Sequence, residues 1–191
     1  MADSIDLIDS IVSQYLKRFP EERANLAALI EQIVNEDQLD NHTTLPGHVT
    51  GCGFVLSPDR TQILLVHHKF LNMWLQPGGH WDSGEADPLT AAKREVDEET
   101  AIKIAEYLPL DADLPLVPFD LNTHEIPDRP EKDMPAHLHH DFRYVFLAES
   151  MEFTEQASEI NQAGWFSFDA PECSNVADMI VKLKNLGFIE A

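Results

Sequence analysis

Basic residues are scarce in this 191-residue chain, which has 13 Lys and Arg against 34 Asp and Glu and a formal net charge of −21. A chain this acidic repels the phosphate backbone of nucleic acids and anionic lipid surfaces. We therefore expect neither a nucleic-acid polymer nor a membrane as a partner. An anionic small molecule would need metal ions to screen the same repulsion.

Cysteines and long apolar runs are also scarce. Cys52 and Cys173 are too few for a disulfide framework, and both are typical of reduced thiols. No apolar run approaches the ~20 residues that span a bilayer. The first residues are acidic, where a signal peptide would be basic and then apolar. These features predict a cytoplasmic protein, and 43% hydrophobic with 25% charged residues is typical of a globular chain.

The N-terminal part has the apolar spacing of two amphipathic helices, over residues 4–18 and 21–35, with Pro20 between them. A polar, turn-rich stretch follows. We therefore predict two units, a helical hairpin extension (1–45) and a main domain (46–191). A structural cover is the favoured role of the hairpin, over a dimer arm or a substrate lid, and a homodimer stays open.

The main domain combines short apolar runs, typical of strands, with two helical segments. Strands flanking one central helix and followed by a terminal helix fit an α/β/α sandwich. The strands are predicted over 50–56, 63–68, 73–76, 117–123, 142–148 and 165–168, with an extended loop over 128–136 and a closing helix over 175–186.

The central helix begins at a clear signal, because Asp87 can cap it and Pro88 suits its first position. Glu95, Glu98 and Glu99 share one of its faces at i, i+3 and i+4. Like charges at this spacing, near the negative end of the helix dipole, cost roughly 0.3–1 kcal/mol each. A bound cation would turn this repulsion into a net attraction, since Mg²⁺ and Mn²⁺ take carboxylate oxygens as ligands. The alternative is a solvated acidic face.

The stretch from Gln76 to Ile102 resembles the Nudix box, the signature of the Nudix hydrolases, written G-x5-E-x7-R-E-U-x-E-E-x-G-U with U a bulky aliphatic residue. Glycines before the helix let the backbone approach a ligand closely. The matching positions are Gly79, Glu85, Arg94, Glu95, Val96, Glu98, Glu99 and Ile102.

Two positions depart from the box. Eight residues separate Glu85 from Arg94 where the box has seven, and Ala101 replaces the glycine. Pro88 keeps the offset from Arg94 that is common in the family, so we place the extra residue in the loop near Ala86. The helix and its carboxylate face then keep their register.

The resemblance implies a Nudix-type α/β/α sandwich with a mixed sheet over roughly residues 47–190. It also implies hydrolysis, dependent on Mg²⁺ or Mn²⁺, of a pyrophosphate bond in a nucleoside diphosphate linked to another moiety. The substrate would thus be a small nucleotide-type molecule. The alternative is a non-catalytic Nudix-fold module that binds a nucleotide or nucleotide-sugar.

Within this family pattern, Glu95 and Glu99 are the first metal ligands expected, and Glu98 is a third ligand or the base. The carbonyl of Gly79 could complete the metal site. Arg94 would hold the carboxylates in place. In several family members the base lies outside the box, which leaves five further candidates: Glu125, Asp128, Glu131, Asp133 and Glu159.

A histidine-rich segment enters the strand predicted over 142–148, and the resemblance to a bacterial Nudix group with such a strand places it beside the cleft. His139, Asp141 and Arg143 share a face with His137 at a period of two. Zinc binding is one reading, although no further ligands stand at a zinc-like spacing. A charged pair on a solvated face is the plain alternative. We predict substrate contacts from Arg143, His139 and Lys69, since a guanidinium fork matches phosphate oxygens.

Overall fold

The computed structural model describes residues 4–130, 133–155 and 160–190. Its helices are α1 (Ser4–Arg18), α2 (Ala27–Val34), α3 (Pro88–Thr100) and α4 (Ala177–Asn185), with 3-10 turns at Pro20–Ala24 and Pro171–Val176. Its strands are β1 (Gly47–Leu56), β2 (Gln62–His68), β3 (Met73–Leu75), β4 (Gly78–His80), β5 (Ile104–Leu108), β6 (Asp120–Ile126), β7 (His137–Ala148) and β8 (Ile160–Ser167).

The eight strands form one mixed sheet with the order β3-β2-β1-β7-β5. Strands β1 and β7 run parallel over ten residue pairs, from Gly47 and Leu138 to Leu56 and Leu147. The other strand pairs are antiparallel, with β4 beside β1, β6 beside β7 and β8 beside β2. The α/β class with a mixed sheet, expected from the sequence, is confirmed.

Helices cover both faces of the sheet. Along β7, Tyr144 and Phe146 belong to the apolar cluster that contains α3, whereas Val145 belongs to the cluster that contains α4. On β1, the α3 side carries Gly51 and Gly53, where a Cβ atom would overlap the backbone or side chains of α3. These two glycines let α3 lie directly against β1, which fixes the position of its acidic face.

The N-terminal helices pack onto the same apolar cluster as α3. Ile8, Ile11 and Tyr15 of α1 are buried there together with Val49 of β1. The N-terminal helices therefore cover the apolar cluster on this face of the sheet. The second predicted helix is interrupted, because Pro20–Ala24 forms a 3-10 turn before α2 begins. The boundary between 1–45 and 46–191 stays a prediction.

Several strands differ from the prediction. β4 and β5 were not predicted, and β7 begins at His137 rather than at residue 142. β8 begins at Ile160 rather than at residue 165 within the described range. The polar start of β7 is a strand because β1 pairs with it on one side and β6 on the other. Backbone hydrogen bonds therefore hold this segment whatever its side chains are.

Among the described residues, no helix is both long and apolar enough to cross a membrane. Cys52 and Cys173 are both buried and free. Burial is the largest cause that raises the pKa of each thiol above its ordinary value. Both therefore pack as small apolar side chains.

Candidate active site

A cleft of about 510 Å³ opens between α3 with β4 on one side and β6 with β7 on the other. One wall carries the acidic face of α3 and the glycines of β4. The opposite wall carries histidines, an aspartate and an arginine. The polar residues of the lining are Thr50, His68, Gln76, His80, Glu95, Glu98, Glu99, His124, Arg129, His137, His139 and Asp141.

The ends of α3 follow the signals of the sequence. Asp87 is the N-cap, and its Oδ1 accepts a hydrogen bond of 2.7 Å from the backbone N–H of Thr90. At the other end Ala101 adopts the left-handed conformation, with φ of 50°. Alanine thus occupies a backbone conformation that favours glycine, the residue of the box at this position.

Arg94 is the centre of the acidic wall. Its Nη1 donates to Oε1 of Glu95 at 2.7 Å and to Oε2 of Glu98 at 3.0 Å. Its Nε donates to Oε1 of Glu85 at 2.8 Å, and its Nη2 donates to the carbonyl of His80 at 2.8 Å. These partners, Glu85 first, raise the pKa of Arg94 above its ordinary value. One guanidinium therefore fixes three carboxylates and the end of β4.

The extra residue before α3 does not keep Glu85 from its place. The loop brings Glu85 to Arg94, and Oε2 of Glu85 also accepts from the backbone N–H of Asp82 at 2.9 Å. Burial alone would raise the pKa of Glu85, but the hydrogen bonds from Arg94 and Asp82 outweigh it, so the pKa lies below its ordinary value. Glu85 is therefore an ionised partner of Arg94.

Glu95 and Glu99 lie against the backbone of β4. Oε2 of Glu99 accepts from the N–H of Gly78 at 3.1 Å, and Glu99 is only 6% exposed. A Cβ atom at Gly79 would overlap the carboxylate of Glu95. Burial, opposed by Arg94, raises the pKa of Glu95. Two acids thus lie buried or partly buried against the backbone of β4. A bound cation would reduce the cost of burying their negative charges.

Asp141 lies in the opposite wall and is almost fully buried. Its Oδ1 accepts from Oγ1 of Thr50 at 2.6 Å, and its Oδ2 accepts from Nη2 of Arg143 at 2.8 Å. Burial would raise its pKa, but Arg143 and then His124 lower it to about 2. Asp141 is therefore ionised and engaged on both oxygens, which makes it a poor proton acceptor.

The structure separates the three residues predicted as substrate contacts. His139 lines the cleft as expected. Arg143 lies beneath the wall with 12% of its side chain exposed, and its fork binds Asp141 and Asp120. Lys69 is exposed in the turn after β2, outside the lining. Arg143 is thus corrected from a substrate contact to a support for Asp141, because its Nη1 and Nη2 already donate to buried carboxylates.

Three of the five candidate bases outside the box lie away from the cleft lining. Glu125, Asp128 and Asp133 are exposed and are not among the lining residues. Glu131 and Glu159 lie outside the described residues. Among the described lining residues, the acids other than Asp141 are those of α3.

Two features in and beside the cleft were not predicted. Arg129 lies in the predicted loop over 128–136 and stacks on Phe70, with 4.3 Å from its Cζ to the ring centroid. His48 and His80 join His139 in one cluster. The histidines stand far apart in the chain, and only the pairing of their strands brings them together.

Comparison with known proteins decides the family. The model of the NUDIX domain matches residues 47–182, which is most of the chain. The chain belongs to the NUDIX family. A curated relative from Lactococcus lactis, described as a "Probable DHNTP pyrophosphohydrolase", is 27% identical over 125 residues, covering 65% of this chain and 67% of that protein.

Solved structures support the same fold. A NUDIX-family hydrolase from Clostridium perfringens is 26% identical with a TM-score of 0.55, and the match covers 73% of this chain and 97% of that one. The NUDIX domain of Shewanella oneidensis NrtR, solved with ADP ribose, is 16% identical with a TM-score of 0.52 over 82% and 96% of the two chains. At that identity the second match shows the fold alone.

Family and reaction class are thereby confirmed. The chain is a Nudix-type hydrolase of pyrophosphate bonds, as the box predicted. Members of this family generally depend on a divalent metal ion.

Proposed function

We propose that this chain hydrolyses a pyrophosphate bond in a nucleoside diphosphate derivative, with Mg²⁺ or Mn²⁺ held by Glu95 and Glu99 and with Glu98 as a third ligand or the base. The observation that carries the proposal is the arrangement around Arg94. This residue binds Glu95 and Glu98 directly, while Glu99 is fixed by the N–H of Gly78 on the same wall. The acids therefore converge on one side of a cleft large enough for a nucleotide-sized ligand.

The donor set fits a hard divalent cation. Carboxylate oxygens suit Mg²⁺ and Mn²⁺, and Gly79, whose Cα lies against the carboxylate of Glu95, would add its carbonyl as a further oxygen. When bound, the cation neutralises phosphate charge and lowers the pKa of water in the site. Arg94 keeps the carboxylates in position, and Gly79 leaves room for Glu95 because it has no side chain.

The chain's own residues provide the proton acceptor and the substrate contacts. Glu98 has 57% of its side chain exposed, which leaves it access to the cleft and to water. His139 and Arg129 stand on the opposite wall, where a phosphate or a base would lie. With a net charge of −21, an anionic substrate depends on the metal and on the positive charge of Arg129.

The substrate class is small-molecule, and the relatives suggest a starting panel. It contains the DHNTP of the Lactococcus protein's description and the ADP ribose bound by the Shewanella domain, besides nucleotides, nucleotide-sugars and dinucleotides. Each compound is incubated with the protein and Mg²⁺ or Mn²⁺, and released phosphate is measured after phosphatase treatment. Cleavage of at least one compound is expected.

Glu99→Gln tests the assignment of the site. The amide oxygen can still accept from Gly78, so the free energy of unfolding should change by no more than about 1 kcal/mol. Loss of a metal ligand should lower kcat/KM at least about 100-fold, equal to about 2.7 kcal/mol of transition-state stabilisation. The matched control is Asp97→Asn, which removes the same charge from an exposed position of α3.

Two results would contradict the proposal. Equal activity of Glu99→Gln and Asp97→Asn would remove Glu99 from the site. Binding of a panel compound without cleavage, seen as a higher melting temperature, would favour the non-catalytic module instead.

A further inference from the structure

Histidines form a second cluster at the end of the cleft near β4. Neighbouring rings lie 4.8 to 5.9 Å apart between centroids. The members are His42, His48, His80, His124, His137 and His139. None of them stands at a defined position of the Nudix box, although His80 follows its first glycine, and the proposed hydrolysis uses His139 alone among them.

Three of these rings converge on one point. Each of His48, His80 and His139 offers a ring nitrogen, and the three nitrogens lie within 4.8 Å of one another. Strand register produces this meeting, because His48 on β1 is paired with His139 on β7. His80 reaches them from β4, which pairs with β1 two residues further along, at Thr50.

His48 has a buried nitrogen without a partner. Its Nδ1 lies 3.5 Å from the carbonyl of Thr44, which can only accept, and this contact favours the tautomer with the hydrogen on Nδ1. Nε2 is then the lone-pair nitrogen, and it is buried with no hydrogen-bond partner. His48 itself is 1% exposed. Leaving such an atom unsatisfied costs about 1–3 kcal/mol, a cost that a bound ion would remove.

From this geometry we propose that His48, His80 and His139 bind a divalent transition-metal ion of the zinc class, at a site separate from the carboxylates of α3. Imidazole nitrogens suit Zn²⁺, Ni²⁺ and Cu²⁺ and are poor ligands for Mg²⁺. The hydrogen bond from Nδ1 of His48 to a carbonyl is the outer support that metal-binding histidines usually have.

A competing ligand set is weaker. His124 and Asp141 also approach His139 closely. Both oxygens of Asp141 already accept hydrogen bonds, from Thr50 and from Arg143, so the aspartate is satisfied without an ion. The all-nitrogen set contains the orphaned atom and is preferred for that reason.

Two of the three rings are in the protonation state that metal binding needs. Burial is the largest cause that lowers the pKa of His48 to about 3 and that of His139 to about 2. Both side chains are therefore neutral near pH 7, so each can offer a lone pair without loss of a proton. Nε2 of His139 lies 3.2 Å from Nε2 of His137, a contact that a metal ion at Nε2 would replace.

The site would face the cleft. His80 and His139 line the cleft, whereas His48 closes the site from behind. Three protein ligands with a position open to the cleft is the pattern of zinc sites that take water or a substrate oxygen. The carbonyl of His80 accepts from Arg94, so the histidine site is joined to the acidic wall through the backbone.

The experiment is calorimetric titration of the full chain with Zn²⁺ in the presence of millimolar Mg²⁺. The Mg²⁺ occupies the carboxylates of α3 but does not compete for the imidazole nitrogens. One equivalent of Zn²⁺ should bind to the wild type and to Glu99→Gln. His80→Asn and His139→Asn should each weaken binding by at least about 100-fold, the upper end of what loss of an outer-shell partner costs. Both positions are only partly buried, so these variants should fold.

His67→Asn is the matched control, since His67 is also a strand histidine but belongs to neither group of converging ligands. It should bind Zn²⁺ as the wild type does. Absence of binding in the wild type would overturn the proposal, as would equal affinity in all histidine variants. Loss of binding in Glu99→Gln alone would assign the ion to the carboxylates. Because none of these readouts is hydrolysis, the outcome is independent of the proposed function.

Discussion

Lys182 on α4 ties the N-terminal helices to the sheet. Its Nζ donates to the hydroxyl of Tyr15 at 2.7 Å, to Oε1 of Glu22 at 2.6 Å and to Oδ1 of Asp120 at 2.7 Å. The ammonium also lies 4.4 Å from the ring centroid of Phe19. One cation thus joins α1, the following 3-10 turn, β6 and α4.

Lys182→Met keeps most of the side-chain length and removes the charge. Breaking a buried ion pair costs about 3–5 kcal/mol. The loss should fall below this range, because Asp120 keeps Arg143 at 2.9 Å and Glu22 can turn to water. A methionine sulfur against Phe19 returns about 0.3–1.5 kcal/mol. We expect a net loss of about 2 kcal/mol, which lowers the melting temperature by about 4–8 °C.

Urea unfolding followed by circular dichroism measures this loss. Lys184→Met is the matched control, since Lys184 is an exposed lysine on the same helix, and it should change the free energy of unfolding by less than about 0.5 kcal/mol. Equal stability of the two variants would refute the role of Lys182 and leave apolar packing alone to hold the hairpin.

Two further predictions concern α3. Ala101→Gly should stabilise the protein by about 0.5–1 kcal/mol in urea unfolding, because glycine avoids the penalty of the left-handed conformation but gains entropy when unfolded. Ala105→Gly, in exposed β5, should instead destabilise it. Mg²⁺ at about 100 times its Kd should stabilise the wild type by about 2.7 kcal/mol in thermal unfolding. Gly79→Ala should reduce this gain by displacing Glu95, and an equal gain would contradict the role of Gly79.

The acidic wall was largely predictable because its members lie on one helix. The spacing of Glu95, Glu98 and Glu99 places them on one face by helical geometry alone, and Asp87 fixes where that helix begins. The box also predicts that Arg94 holds these carboxylates in place, and Arg94 does donate to Glu95 and Glu98. The spacing could not predict that Glu85 still contacts Arg94 despite the extra residue between them. The path of a loop depends on the surfaces against which it packs.

The opposite wall was predicted only in part. A period of two correctly put His139 and Asp141 on one face of a strand. The same rule misplaced Arg143, because a shared face says nothing about depth, and this position lies where α4 and Asp120 cover the strand. Arg129 was missed because the loop that carries it has no periodicity.

The sequence alone determined the family, the reaction class, the start of the central helix and the acidic face, because each depends on residues close together in the chain. The tertiary structure decided which polar residues meet across strands. His48, His80 and His139 come together only through the parallel pairing of β1 with β7 and the antiparallel pairing of β1 with β4. Such pairing is set by the burial of whole strands, which no local pattern of residues records.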